Sequence, residues 1–163
     1  MRYFLDTEFN GWGGALLSLA LVPEDGGQDF YVTLDWSDPL EPWVQTNVIP
    51  YLDTVPVQLI SQRLGREQAS RAVSAWLVHE HELQTMARYP EPVSSLEIVA
   101  DWPEDIAQIC MLLLKGPGAM VEVPELTFRL VELPGFSTAA NSKVPHNALH
   151  DARALRDHVL SLG

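Results

Sequence analysis

The stretch Arg2-Tyr-Phe-Leu-Asp-Thr-Glu-Phe-Asn10 decides the fold, because it reads as a strand that starts almost at the first residue and carries two carboxylates near its end. Successive side chains on a strand alternate faces, so Asp6 and Glu8 point the same way. Two neighbouring acids repel each other unless a cation lies between them. Asp-x-Glu at a strand end is therefore either a pair of solvated acids or part of a divalent-metal site, and residues further along the chain decide between these.

Downstream, Ala15 to Val22 reads as a second strand after the Gly-rich Asn10-Gly-Trp-Gly-Gly14, and Asp29 to Leu34 as a third after Pro23-Glu-Asp-Gly-Gly27. The glycines read as turn chemistry, since no Lys-Ser/Thr follows them as in a phosphate-binding loop. Three consecutive strands make an antiparallel meander with the acidic pair on its first strand. After Pro39 the pattern turns helical. A short amphipathic piece runs through Trp43, Val44, Val48 and Leu52, and Arg66 to Ala87 forms one long helix or two shorter ones, apolar at Ala69, Ala72, Val73, Trp76, Leu77, Leu83 and Met86. His79 and His81, two apart on that helix, face different ways and read as solvated.

Residues 90 to 95 read as a loop, Leu96 to Ala100 as a strand, and Pro103 as the first turn of a helix capped near Asp101 or Trp102. Ile106, Ile109, Cys110, Leu113 and Leu114 supply that helix's buried face, with Cys110 a small core residue, and Gly116-Pro-Gly118 ends it. Residues 126 to 133 suggest a fifth strand, and about 147 to 161 a last helix that His146 precedes by about one turn. A meander followed by βαβ units predicts an α/β fold with a mixed sheet of five or six strands flanked by helices. With no linker or repeat, residues 1–163 read as one domain.

Composition narrows the function classes. At 47% hydrophobic residues the chain builds a core, and its single cysteine forms no internal disulfide. With no signal-peptide pattern and no apolar run near the roughly 20 residues of a membrane span, the expectation is a cytoplasmic protein without a membrane partner. The net charge of −12 repels polyanions, so a nucleic-acid partner must be short or single-stranded, or meet a local basic rim. Bound divalent ions would offset part of that charge.

On the last helix, the apolar stripe Ala148, Ala152, Leu155, Val159 and Leu162 leaves Asp151 about 60° from its centre, at the edge of the buried face. With His146 nearby, this segment offers a metal ligand and a proton acceptor, or else a solvated acid and an ordinary histidine at a helix start.

Asp6-x-Glu8 on the first strand, Asp101-x-x-x-Asp105 after a later one, and His146 with Asp151 five positions on occur in the order of three known exonuclease motifs. The chain thereby resembles the DEDDh branch of the ribonuclease T superfamily, and its opening and length look like the compact mycobacterial-type 3′-to-5′ exoribonucleases. The resemblance implies a ribonuclease H-like fold, two Mg²⁺ or Mn²⁺ ions, release of nucleoside 5′-monophosphates from RNA 3′ ends, and commonly a homodimer. Carried over residue by residue, Asp6, Glu8, Asp105 and Asp151 would be the metal ligands and His146 the general base, with His150 its rival. Asp101 stands where the family pattern has Asn, so it either orients a water or competes with Asp105 as ligand.

Two ions about 3.5–4 Å apart supply a nucleophile and stabilise the leaving oxygen, and carboxylates suit hard cations. Phe9 and Trp12 are candidates to stack on the terminal base, or they pack locally. Arg129, Lys143 and Arg153 are candidates for a phosphate-holding rim, or they are solvated surface charges. Two other exonuclease substrates are DNA and short oligonucleotides. Two further classes compete with the nuclease: a nucleic-acid-binding module without catalysis, and an acidic protein that binds a basic partner.

Overall fold

The computed structural model describes residues 1–91 and 93–163; Pro92, inside the expected loop at 90–95, lies outside the described residues. Strands β1 (Arg2–Phe9), β2 (Leu16–Pro23) and β3 (Phe30–Thr33) form the expected meander, followed by helix α1 (Pro42–Asn47) and the long α2 (Arg66–Ala87). Then come β4 (Leu96–Ala100), α3 (Pro103–Leu113), the small ribbon β5 (Leu114–Gly116) and β6 (Ala119–Met120), β7 (Leu126–Leu130), α4 (Thr138–Asn141) and α5 (Ala148–Ser161). The main sheet has the order β3-β2-β1-β4-β7. β1 is antiparallel to β2 and parallel to β4, which in turn is parallel to β7, so the fold is α/β with a mixed five-stranded sheet.

The alternation of β1 sets the two layers. Tyr3 and Leu5 face the core built from α2 and α3, through Ala69, Val73, Leu77, Ile109 and Leu112. Phe4 faces α5, through Ala148, Leu149, Ala152 and Leu155. Asp6 and Glu8 continue the Phe4 side by the same period of two. The pairing of β1 with β4 covers only Arg2 to Phe4 against Glu97 to Val99, so the carboxyl half of β1 runs past its parallel neighbour. The register with β2 then shifts between Glu8 and Phe9, where Leu17 is passed over. A crevice opens where β4 stops, which is where open sheets with parallel strands hold their ligands.

Several expectations need correction. Cys110 is exposed, because it lies on the outer side of α3 rather than in the stripe of Ile109, Leu112 and Leu113. Gly116-Pro-Gly118 does not end α3: the helix stops at Leu113, and these residues turn the β5–β6 ribbon, with Gly118 at φ 69°. The fifth strand of the sheet ends at Leu130 rather than at residue 133, since the chain turns there to cover the crevice. Leu83 and Met86 are exposed, and the buried positions of α2 end at Leu77 and Glu80. His81 is part-buried, its Nε2 2.9 Å from the Val93 carbonyl, so it is not simply solvated. No helix among the described residues is long and apolar enough to cross a membrane.

Candidate metal centre

The crevice is a cleft of about 820 Å³ at the carboxyl ends of β1 and β4. Asp6 and Glu8 enter from β1, Asp101 from the turn after β4, Asp105 from the first turn of α3, and Asp151 from the first turn of α5. Two groups of ligand atoms form. Oxygens of Asp6, Asp101 and Asp105 lie within 4.8 Å of one another, and so do the ligand atoms of Glu8, His146 and Asp151. Tertiary folding thus brings together acids up to 145 positions apart in sequence.

Local sequence explains each placement. Pro103 starts α3 at a position where no N–H is needed, which puts Asp105 one side chain into the helix and back over β1. Thr7, on the opposite face of β1 from its acidic neighbours, fixes Asp105: its N–H and its hydroxyl donate to Oδ1 at 3.1 and 2.6 Å. Asp105 is consequently 3% exposed and held in one orientation. Asp101 stands beside Asp105 rather than in its place, and its Oδ2 accepts from the Thr138 hydroxyl at the start of α4.

Asn147 caps α5, its side-chain oxygen accepting from the N–H groups of Leu149 and His150. Its amide donates to the Tyr51 carbonyl at 2.7 Å, which pins the helix start to the turn after α1. His146 therefore sits directly before the cap, closer than the expected full turn. Its φ of 62° lies in the left-handed region, which a non-glycine residue adopts at a cost. That conformation turns its N–H onto Asp151 Oδ2 at 3.1 Å, while its ring meets Trp43 edge to face at 4.9 Å. His150, the rival base, points elsewhere: its Nε2 is 2.9 Å from the Thr54 carbonyl, and it does not line the cleft.

Electrostatics set these acids apart. Burial, and then the charges of Asp105, Glu8, Asp151 and Asp101, push the Asp6 carboxyl well above the carboxylate range. Burial, with Asp151 and Asp105 nearby, raises Glu8 to about 8. Burial also raises Asp105 to about 7, against the opposing pull of the Thr7 hydrogen bonds, and Asp151 to about 6. Asp151 is 4% exposed, and its Oδ1 is buried without a hydrogen-bond partner. A buried acceptor left without a donor costs about 1–3 kcal/mol. Crowded carboxylates, one histidine nitrogen and an orphaned oxygen fit a hard divalent cation, which would remove both the repulsion and the missing partner.

The cleft walls are aromatic. Trp12 is 94% exposed on a loop that the Gly13 N–H ties to Glu104 at 2.8 Å. Phe9 lines the cleft, and Trp43 and Trp102, about half exposed, join it with Phe136. Sequence reading did not single out these last three, nor Thr7 and Thr138. Trp102 carried a signal in its place beside Asp101, whereas Trp43, Phe136 and Thr138 come from segments whose position only the tertiary fold sets.

The cations expected at a phosphate-holding rim do not line this cleft. Arg129 lies on edge strand β7 and opens onto a different surface beside Arg2, while Lys143 and Arg153 line a separate cleft. Among the described residues, the acidic cleft is lined by no Lys or Arg. No family model matches this chain, and no curated protein is similar enough to match it.

Proposed function

We propose that the chain is a metal-dependent 3′-to-5′ exoribonuclease with a ribonuclease H-like fold, hydrolysing single-stranded or overhanging RNA ends to nucleoside 5′-monophosphates. The carrying observation is the pair of ligand groups, Asp6 with Asp101 and Asp105, and Glu8 with His146 and Asp151, in one cleft. Asp6, Glu8, Asp105 and Asp151 would hold two Mg²⁺ or Mn²⁺ ions, and Asp101 adds an oxygen beside Asp6 and Asp105. When bound, such ions supply a deprotonated water nucleophile and stabilise the leaving oxygen.

The protein's own groups do the rest. His146, held by its N–H on Asp151 and by Trp43, takes the proton of the attacking water. Thr7 keeps one oxygen of Asp105 occupied and thereby aims the other. Trp12, Trp43 and Trp102 offer flat faces to unstacked bases. With no Lys or Arg among the described residues lining the cleft, duplexes are poorly neutralised there, which favours single-stranded ends and leaves short oligonucleotides as the second reading.

The test offers labelled RNA and DNA oligomers, single-stranded or with 3′ overhangs, in Mn²⁺. A ladder shortening from the 3′ end with monophosphate release supports the reading and ranks the substrates. Asp6→Ala and Asp151→Ala should each abolish it, and undiminished activity in both variants would sink the proposal. A rise in melting temperature with Mn²⁺ that is lost in Asp6→Ala separates this reading from that of a metal-free acidic interaction protein.

A further inference from the structure

A second cleft, of about 620 Å³, lies along the flank of α5, between that helix and the β2–β3 turn. It carries Lys143, Arg153 and Arg156, three of the ten Lys and Arg residues in a chain of net charge −12, against the acids Asp29 and Asp157. The cations are available to a ligand. Lys143 is exposed and has no carboxylate within 4.0 Å among the described residues. Among the described residues, Arg156 pairs only with the exposed carboxylate of Asp157, its neighbour on the helix, through Nε and one terminal nitrogen, a kind of contact that phosphate readily replaces. Arg153 is oriented by Asp29 through Nε and one terminal nitrogen, which leaves N–H groups of its five-donor fork unused. The amides of Gln28, Gln58 and Asn141 add neutral donors.

Placement links this cleft to the metal centre. Both lie on the α5 side of the sheet and share one wall, the segment 137–147. Thr138 and His146 on that wall face the metal cleft, while Asn141 and Lys143 face the second. From Asn147 to Arg156 is a run of nine residues, about 14 Å of helix at ~1.5 Å each. Among the described residues, a further group of cations, Arg66, Arg71 and Lys115, lies on the opposite side with α2 and α3, where Arg66 donates to the Met111 carbonyl and Arg71 to Glu67; Arg2 and Arg129 share another surface, where Arg2 pairs with Glu24.

We infer that the α5 cleft holds the phosphodiester backbone of an RNA strand whose 3′ end occupies the metal centre, which rests on the exonuclease reading. The strand's phosphates then find at α5 the positive charge that the metal cleft lacks. Substrates long enough to cross the shared wall bind more tightly than a dinucleotide, which ends inside the metal cleft.

The test measures binding of 5′-fluorescein RNA, a dinucleotide and a dodecanucleotide, by anisotropy in Ca²⁺ over a range of salt, with hydrolysis of both followed in Mn²⁺. Wild type should bind the longer RNA more tightly. Lys143→Ala/Arg156→Gln should erase that preference and flatten the log–log salt slope by about 1.4, at roughly 0.7 per lost phosphate contact. Lys143→Arg/Arg156→Lys should keep both, and unchanged melting temperatures exclude misfolding. A wild type indifferent to length, or a double variant with unchanged affinity and slope, overturns the cleft assignment. Length-dependent binding that the variant loses, in a protein that hydrolyses neither RNA, upholds the cleft and overturns the exonuclease reading instead.

Discussion

The backbone N–H of His146 donates to Asp151 Oδ2 at 3.1 Å from a left-handed conformation, φ 62°, so one residue both orients a buried acid and presents its own imidazole beside it. Asn tolerates this conformation better than most residues. His146→Asn should therefore fold with a melting temperature near wild type while lowering kcat by about 10²–10⁴-fold, the usual worth of a general base. Retention of full activity would show that the imidazole takes no proton.

Thr7 gives two hydrogen bonds to one oxygen of Asp105. Thr7→Val keeps the shape and the N–H but removes the hydroxyl. Asp105, already raised to about 7, should rise further, and Mn²⁺ affinity measured by calorimetry should fall by about 10-fold or more, as for other groups that orient a metal ligand. Thr7→Ser should retain the affinity. Equal affinity in all three proteins would mean that Asp105 needs no orientation from β1.

The crowded acids fix the pH dependence of the metal-free protein. Glu8, Asp105 and Asp151 have folded-state values of about 8, 7 and 6, all above their ordinary range near 4. The native state thus binds more protons than the unfolded one between about pH 4 and 8, so stability is fully present below that window and falls as pH rises through it. Melting temperatures in a chelator should drop from pH 5 to pH 8. Mn²⁺ should restore more stability at pH 8 than at pH 5, because at low pH it must displace protons. A chelated protein more stable at pH 8 than at pH 5 would contradict the clustering.

Asn147 is fully buried and serves α5 and the turn after α1 at once. Asn147→Ala removes the cap and leaves the Tyr51 carbonyl without its donor, at about 2–3 kcal/mol together. For a chain of this size the melting temperature should fall by roughly 4–12 °C at 2–4 °C per kcal/mol. A shift under a degree would show that the cap is dispensable.

Much of the fold was legible because it follows local periodicity. Apolar runs and alternation placed β1 to β4 within a residue or two, and 3.6-residue stripes placed α5 and, with Pro103, α3. The strand period also put Asp6 and Glu8 on one face. Short elements without a pattern of their own, the β5–β6 ribbon and four-residue α4, were not legible, since neighbours stabilise them rather than propensity. Cys110 shows the same limit: apolar residues around a position do not say which side of a helix meets the sheet.

Residue types and their order are read from the chain alone: a strand ending in two acids, a helix with Asp105 in its first turn, and a helix that His146 precedes and that carries Asp151 in its first turn. Only the tertiary structure decided that Asp101 joins Asp6 and Asp105 while Glu8 joins His146 and Asp151, and that Arg129, Lys143 and Arg153 stay out of their cleft. The reason is physical. Side-chain direction along one element follows from backbone geometry that nearby residues set, whereas the meeting of side chains up to 145 positions apart depends on how layers pack, through contacts that no local pattern encodes.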